Sequence, residues 1–211
     1  MEHVSEARCR TIAEGVLDGI RTRLSLPPAC ITTMEEHLEG LKVCLFSPGE
    51  TIWYPLFTVQ AGACIGQVQA PEPARLSHVS FQPPIEGQLF RPVVCLCRYE
   101  NPERIYPALV HELIHLFSSV WVWQSPQEIC LHSGIARYTY HCSSDGTALY
   151  CKSAQEVLLN ERLTDYLAGQ IMGIPYVPTD PISQRLVALP LEQIARAYFE
   201  HRGEDLPLFL V

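Results

Sequence analysis

The chain has 211 residues, of which 47% are hydrophobic and 18% charged, which suits one globular domain and excludes a disordered protein. Its formal net charge of -8 argues against a nucleic-acid partner, because phosphate backbones need a basic surface. No stretch approaches the roughly 18 consecutive apolar residues that a membrane span requires.

The first hundred residues are predicted to contain one helix and several short strands. Hydrophobic residues at helical spacing indicate a helix over 5–24, which Pro27-Pro28 ends. Strand-like runs follow, separated by turns rich in proline and glycine, at 41–46, 56–59, 76–81 and 92–98.

A long helix and a hairpin are predicted next. Asn101-Pro102-Glu103 resembles a helix start and indicates a helix over about 102–123. Two strand-like runs, 131–140 and 147–151, follow it. Ser144-Asp145-Gly146 is predicted to be the hairpin turn between them.

The end of the chain is predicted to be helical. Ser153 and Glu156 have capping-box spacing, which indicates a helix over about 153–171. A proline-rich connection over 174–190 leads to a last helix over 191–202. Strands first and helices later predict an α+β fold. We expect one domain over 1–211, with a sheet-containing lobe over about 1–100 and a helical lobe over about 101–211.

His111-Glu112-Leu113-Ile114-His115 forms an HExxH motif within the predicted long helix. Residues four apart project from nearly the same helix face, so both imidazoles can reach one metal ion. Glu112 is turned by about 100° from His111, since a helix has 3.6 residues per turn, and can act on a water molecule without binding the metal. Catalytic zinc sites commonly have three protein ligands, so a third must come from elsewhere.

The downstream source of that ligand is Asn160-Glu161-Arg162-Leu163-Thr164-Asp165 in the predicted second helix. Glu161 and Asp165 are again four apart and share a face. Glu161 can therefore bind the metal while Asp165 accepts the free N–H of a liganding histidine. Such a partner fixes the tautomer and the ring orientation.

Together, HELIH and NERLTD resemble the thermolysin-like metallopeptidases called gluzincins, whose pattern is HExxH and then NExxSD, or a close variant, on a second helix. The resemblance covers roughly residues 102–172. It implies a zincin-like fold in which the two ligand-bearing helices flank a cleft beside a small mixed sheet. It also implies zinc as cofactor, with roles for His111, His115 and Glu161 as ligands, Glu112 as catalytic glutamate and Asp165 as the support of His111.

Two differences separate this chain from the gluzincin pattern. Thr164 stands in place of the serine. Glu161 follows His115 by 46 positions (161 − 115), which is longer than in thermolysin and leaves room for the predicted hairpin.

The predicted function is a zinc-dependent endopeptidase that hydrolyses peptide bonds of a protein or peptide substrate. Zinc lowers the pKa of its bound water from about 15.7 towards 7, and Glu112 accepts the proton as general base. A hydrogen-bond donor is needed for the developing oxyanion. Tyr138 on the predicted hairpin is the first candidate, and the alternatives are Tyr140, Tyr150, His132 and His141.

Two other functions fit the same residues. One is a narrow regulatory or effector protease that cuts a single partner protein. The other is a non-catalytic zinc-binding module that recognises a peptide in the cleft. Glu112 argues against the module, because a binder needs no general base beside its metal. Nothing in the residue pattern indicates an oligomeric state.

The compartment is predicted from the cysteines and the N-terminus. Nine cysteines, an odd number, and no apolar signal region near the start favour reduced thiols and a cytoplasmic protein. An effector exported without a signal peptide would share these features.

The segment 92–98 is predicted to be an edge strand that holds the substrate. Pro92 cannot donate a hydrogen bond to a neighbouring strand, which suits an edge position. An extended peptide could then add to this edge through backbone hydrogen bonds.

Overall fold

A computed structural model describes the chain over residues 5–51, 53–58, 64–69, 76–80, 88–89, 93–97, 105–142 and 149–207. In 53–58, 64–69 and 88–89, and at residues 142, 149 and 150, only the backbone is described. Helices and small sheets are both present, so the α+β prediction is confirmed. Within these ranges, none of the helices is long and apolar enough to cross a membrane.

Six α-helices lie in the described ranges: α1 (Glu6–Arg23), α2 (Pro28–Glu39), α3 (Ile105–Phe117), α4 (Val157–Met172), α5 (Pro181–Leu186) and α6 (Leu191–Phe199). Helix α1 begins as expected, because the Ser5 side chain accepts a hydrogen bond from the backbone N–H of Arg8 at 3.2 Å. Helix α2 was not predicted, because Pro28 was interpreted as the end of a helix. Proline is equally suited to the first turn of a helix, and α2 begins there.

Ten strands form three sheets in the same part of the chain. They are β1 (Lys42–Phe46), β2 (Trp53–Thr58), β3 (Cys64–Gln69), β4 (His78–Ser80), β5 (Gln88–Leu89), β6 (Val93–Cys97), β7 (Ser119–Ser125), β8 (Glu128–Ser133), β9 (Ala136–Cys142) and β10 (Leu149–Gln155). The strand orders are β1-β6-β4, β3-β2-β5 and β10-β9-β8-β7. The first sheet is mixed, since β6 runs parallel to β1 and antiparallel to β4.

The prediction that 92–98 is an edge strand is wrong. Strand β6 lies in the centre of its sheet, with β1 on one side and β4 on the other, and all five of its residues are buried. The continuous apolar run of this strand is typical of a strand covered on both faces. This apolar run was a stronger indication of a central strand than Pro92 was of an edge strand.

Helix α3 is shorter than predicted and is followed directly by a strand. It ends at Phe117, and β7 begins at Ser119, where a helix was expected to continue to 123. The alternation of valine and tryptophan over 120–123 favours a strand, since β-branched and aromatic residues fit a pleated sheet. The expected helix start at 101–103 lies outside the described residues.

The region between α3 and α4 is a four-stranded antiparallel sheet, where one hairpin was predicted. The run 131–140 is divided between β8 and β9, which turn at Gly134. The predicted turn at 144–146 lies outside the described residues, although β9 and β10 on either side of it do pair. The capping box is wrong, because residues 153–155 belong to β10 and α4 begins only after Glu156.

The hydrophobic core surrounds α3. Helices α1, α2 and α4 pack against it, and so does strand β6. The buried apolar residues of α3 form one broad face, which spans about 160° of the helix at 3.6 residues per turn: Leu109, Val110, Leu113, Ile114, Leu116 and Phe117. This packing fixes both the position and the rotation of the helix that carries the HExxH motif.

We expect Gly134→Ala to destabilise the fold by about 2–4 kcal/mol, from backbone strain and overpacking together. Gly134 has φ +57, and a Cβ atom at this position would come within 3.0 Å of the side chains of Asn160 and Tyr198. Gly49→Ala is the matched control, because Gly49 has φ +82 but nothing within 4 Å of a Cβ atom. Urea unfolding of both variants separates strain from crowding. Equal losses of stability would contradict the close packing at Gly134.

Candidate metal centre

Helix α3 presents its two histidines along one side. The apolar residues of α3 are held in the core, and the two histidines lie on another side of the helix. The side chain of His111 is 21% exposed and that of His115 is 9% exposed. Their rings lie 4.8 Å apart between centroids, as expected for residues one turn apart.

Helix α4 brings two carboxylates to the same place. Its core face is formed by Leu159, Leu163 and Leu167, which are buried, and Glu161 and Asp165 project from another side. The side chains of Glu161 and Asp165 are 46% and 53% exposed. Direct packing of α3 on α4 therefore joins residues that lie about fifty positions apart in the chain.

The side chains of His111, His115 and Glu161 form a compact triangle. The Nε2 atoms of the two histidines are 3.1 Å apart. Oxygen Oε2 of Glu161 lies 3.2 Å from Nε2 of His111, and its other oxygen, Oε1, lies 3.3 Å from Nε2 of His115. In a tetrahedral zinc site with bonds of about 2.0–2.1 Å, neighbouring ligand atoms lie about 3.3–3.4 Å apart. The distances in the triangle are close to this spacing, and this residue set could hold a metal ion.

The triangle is open on one side. Glu161 is nearly half exposed, whereas His115 is almost buried, so the site opens towards solvent at the carboxylate. Structural zinc sites use four protein ligands, while catalytic sites keep one position for water or substrate. Among the described residues, no fourth cysteine, histidine or carboxylate joins the group. The donor set thus fits the catalytic type.

Asp165 fixes the orientation of His111. Its carboxylate lies 2.8 Å from Nδ1 of His111 and accepts the hydrogen bond from that nitrogen. With Nδ1 protonated, the other ring nitrogen, Nε2, points at Glu161 and can bind a cation. This contact was predicted from the sequence, and the structure brings the two side chains together.

When no metal is present, the charges of His111, Glu161 and Asp165 influence one another. Burial lowers the pKa of His111, but hydrogen bonds to the carboxylates of Asp165 and Glu161 outweigh it and raise the pKa to about 10. The hydrogen bonds from His111 and His115 hold the pKa of Glu161 well below its usual range. A proton on His111 thus takes the place that a cation would occupy.

Glu112 is buried beside the histidines and has an unusual proton affinity. Its pKa is raised to about 7, first by burial and also by the negative charge of Glu161, against the opposing charge of His111. The backbone N–H of Val79 in strand β4 donates a hydrogen bond to its carboxylate. A carboxyl group with a pKa near neutrality is suited to take up and release protons at physiological pH.

The Nδ1 atom of His115 faces two residues that the sequence analysis did not assign. The Asn160 amide nitrogen lies 3.5 Å from this atom, and the Tyr198 hydroxyl lies 3.4 Å from it. Asn160 belongs to the NERLTD segment, so its position could have been noticed there. Tyr198 lies on α6, and no motif in the sequence connects it with the histidines.

Tyr138 is linked electrostatically to the triangle. Burial raises the pKa of Tyr138, and the charge of Glu161 raises it further. The alternative donors have contacts of their own. His132 packs against His201, with ring centroids 5.4 Å apart, Tyr140 packs against Trp121 with centroids 5.6 Å apart, and His141 lies 4.0 Å from Glu128. The side chain of Tyr150 lies outside the described residues.

Comparison with known proteins gives no relative: no protein-family model, no curated protein and no solved structure matches this chain. The chemistry of the site is therefore the basis for inferring a function.

We expect zinc binding to strengthen as the pH rises. The ion needs neutral imidazoles, so it must displace the proton that His111 retains up to pH about 10. Because one proton is released from His111 for each zinc bound, the apparent zinc affinity should rise about tenfold per pH unit from about pH 7 to about pH 9. Competition with a chromogenic chelator at several pH values measures the slope.

Asp165→Asn is the matched variant for this measurement. Without the carboxylate charge, His111 should lose its proton at a lower pH, so the rise in affinity should level off earlier. An affinity that does not change with pH in the wild-type protein would contradict proton displacement at His111.

Proposed function

We propose that this protein is a zinc-dependent endopeptidase with a zincin-like arrangement of its two ligand helices. The observation that carries the proposal is the open triangle of His111, His115 and Glu161 with the buried Glu112 beside it. Burying a carboxyl group is costly unless it is hydrogen-bonded or neutralised. A role in proton transfer explains why one is retained next to the triangle.

The chain supplies the proton transfers of peptide hydrolysis. When bound, zinc polarises the scissile carbonyl and lowers the pKa of a water ligand from about 15.7 to about 7. Glu112 takes up the proton of the attacking water and delivers it to the nitrogen of the leaving amine as the C–N bond breaks. Asp165 keeps His111 in the tautomer that leaves Nε2 free. Tyr138 donates a hydrogen bond to the developing oxyanion.

Strand β4 is the edge that we propose for substrate binding in place of the central strand β6. It forms the end of its sheet in the strand order, and the N–H of Val79 reaches Glu112. The outer side of β4 therefore faces the catalytic glutamate. An extended peptide placed along this edge would run beside the triangle.

A narrow regulatory or effector protease is a special case of the same chemistry. It would leave casein intact and cut one partner protein. A zinc-binding recognition module is the alternative from a different class. The buried position and raised pKa of Glu112 favour the enzyme, because a module that only binds would gain nothing from this group.

We expect Glu161→Ala to lose zinc affinity by at least about 100-fold, since one of three protein ligands is removed. Glu192→Ala, at an exposed glutamate in the first turn of α6, is the control and should keep a full equivalent of zinc. Metal content after dialysis and chelator competition give the result. A Glu161→Ala protein with wild-type affinity would remove this residue from the ligand set.

We expect Glu112→Gln to keep its zinc and its substrate binding but to lose activity by about 10²–10⁴-fold, the usual contribution of a general base. Glutamine has the shape of glutamate but cannot accept a proton from water. New N-termini in a cell lysate incubated with each protein provide the assay. Cleavage at the wild-type rate would refute the mechanism. Cleavage by neither protein, with equal binding of one partner, would identify a binding module.

A further inference from the structure

A buried polar layer connects helix α6 with the metal triangle. Its members come from α3, the residue that follows α3, helix α4 and helix α6. All are at most 3% exposed, apart from His115 itself at 7%: Ser118, Asn160, Thr164, Tyr198 and His115. Buried polar groups are retained where their hydrogen bonds are complete. The donors and acceptors of this layer can therefore be assigned one by one.

His115 needs an acceptor for its Nδ1 proton. Its Nε2 atom faces the triangle and must keep a lone pair to bind a metal, so the proton of the neutral ring is on Nδ1. Asn160 cannot accept this proton, because its amide oxygen already accepts the backbone N–H groups of Ile135 at 2.9 Å and Ala136 at 3.4 Å. Its NH₂ group is the part that faces His115. The hydroxyl oxygen of Tyr198 at 3.4 Å is the acceptor that remains.

The neighbouring hydroxyl groups also indicate that the Tyr198 oxygen accepts from His115. Thr164 donates its own proton to the Asn160 carbonyl at 2.9 Å, and Ser118 donates to the His115 carbonyl at 3.0 Å. Both hydroxyls can then only accept from Tyr198, whose oxygen lies 2.7 Å from that of Thr164 and also interacts with Ser118. Tyr198 donates its single proton to one of them. Its lone pair is left to accept from His115.

We propose that Tyr198 is a positioning residue of the metal site, which holds His115 in the Nδ1-protonated tautomer and directs Nε2 at the metal. It supports the second histidine as Asp165 supports the first. Gly134 makes this possible, because a side chain at this position would collide with both Tyr198 and Asn160. The C-terminal helix α6 is thus part of the metal centre.

The test is the zinc affinity of Tyr198→Phe, which removes one oxygen atom and keeps the ring. We expect the affinity to fall about 10–100-fold, as for other residues that orient metal ligands. Tyr166→Phe is the matched control. Tyr166 is also buried, but its ring packs on Tyr176 with centroids 5.3 Å apart, so its loss should leave zinc affinity unchanged. Wild-type affinity in Tyr198→Phe overturns the proposal.

A second measurement needs no variant and does not depend on folding of a mutant. The ¹⁵N chemical shifts of the His115 ring in the zinc-loaded wild-type protein show which nitrogen binds the metal and which carries the proton. We expect the metal on Nε2 and the proton on Nδ1, and a metal on Nδ1 overturns the proposal.

The inference rests on the proposed function, since it assumes that His115 binds a metal. The two can fail separately. A wild-type protein that takes up no zinc refutes the proposed function. A wild-type protein with one equivalent of zinc, together with an unaffected Tyr198→Phe, refutes only the role of Tyr198.

Discussion

The burial of helix α3 is the constraint on which the rest of the structure depends. Helices α1, α2 and α4 and strand β6 surround it, so its rotation about its own axis is fixed by apolar contacts. Each fully buried leucine or isoleucine contributes about 1.5–3 kcal/mol, and α3 contains several. This stabilisation can offset the cost of burying Glu112 and His115 among them. Because the apolar side chains of α3 are held in the core, the helix keeps one rotation, and both histidines stay on the same side of it.

The second constraint is a polar layer inside an apolar core. Asn160 bonds to the turn that begins β9, Thr164 bonds to Tyr198, and Tyr198 reaches His115. Completely satisfied polar networks specify one arrangement of the surrounding elements, since any shift leaves a buried donor or acceptor unpaired. Here the network joins α4 and α6 to the end of α3. The same hydrogen bonds that specify the packing also reach a histidine of the candidate metal site.

The local chemistry of the site could be predicted from the sequence, whereas much of its surroundings could not. Each of the pairs His111/His115 and Glu161/Asp165 is four residues apart, so helical geometry alone places its two members on one face. The structure brings these four side chains together. The strand order of the first sheet depends on contacts between distant segments, and so the position of β6 was wrong. Tyr198 lies 83 positions from His115, and its role depends on where α6 packs. Helix α2 was missed because Pro28 can end one helix or begin the next.

The two helices that supply the proposed ligands are separated in the sequence by a four-stranded sheet, and a metal held by both would affect how long the protein survives in a cell. Such a metal would be a cross-link across the core. A ligand that binds only the folded form, present at 100 times its dissociation constant, stabilises that form by about 2.7 kcal/mol. A change of this size alters the unfolded fraction by about 100-fold, and cellular proteases act on that fraction. The abundance of this protein would therefore follow the supply of free zinc, even where its activity is not needed.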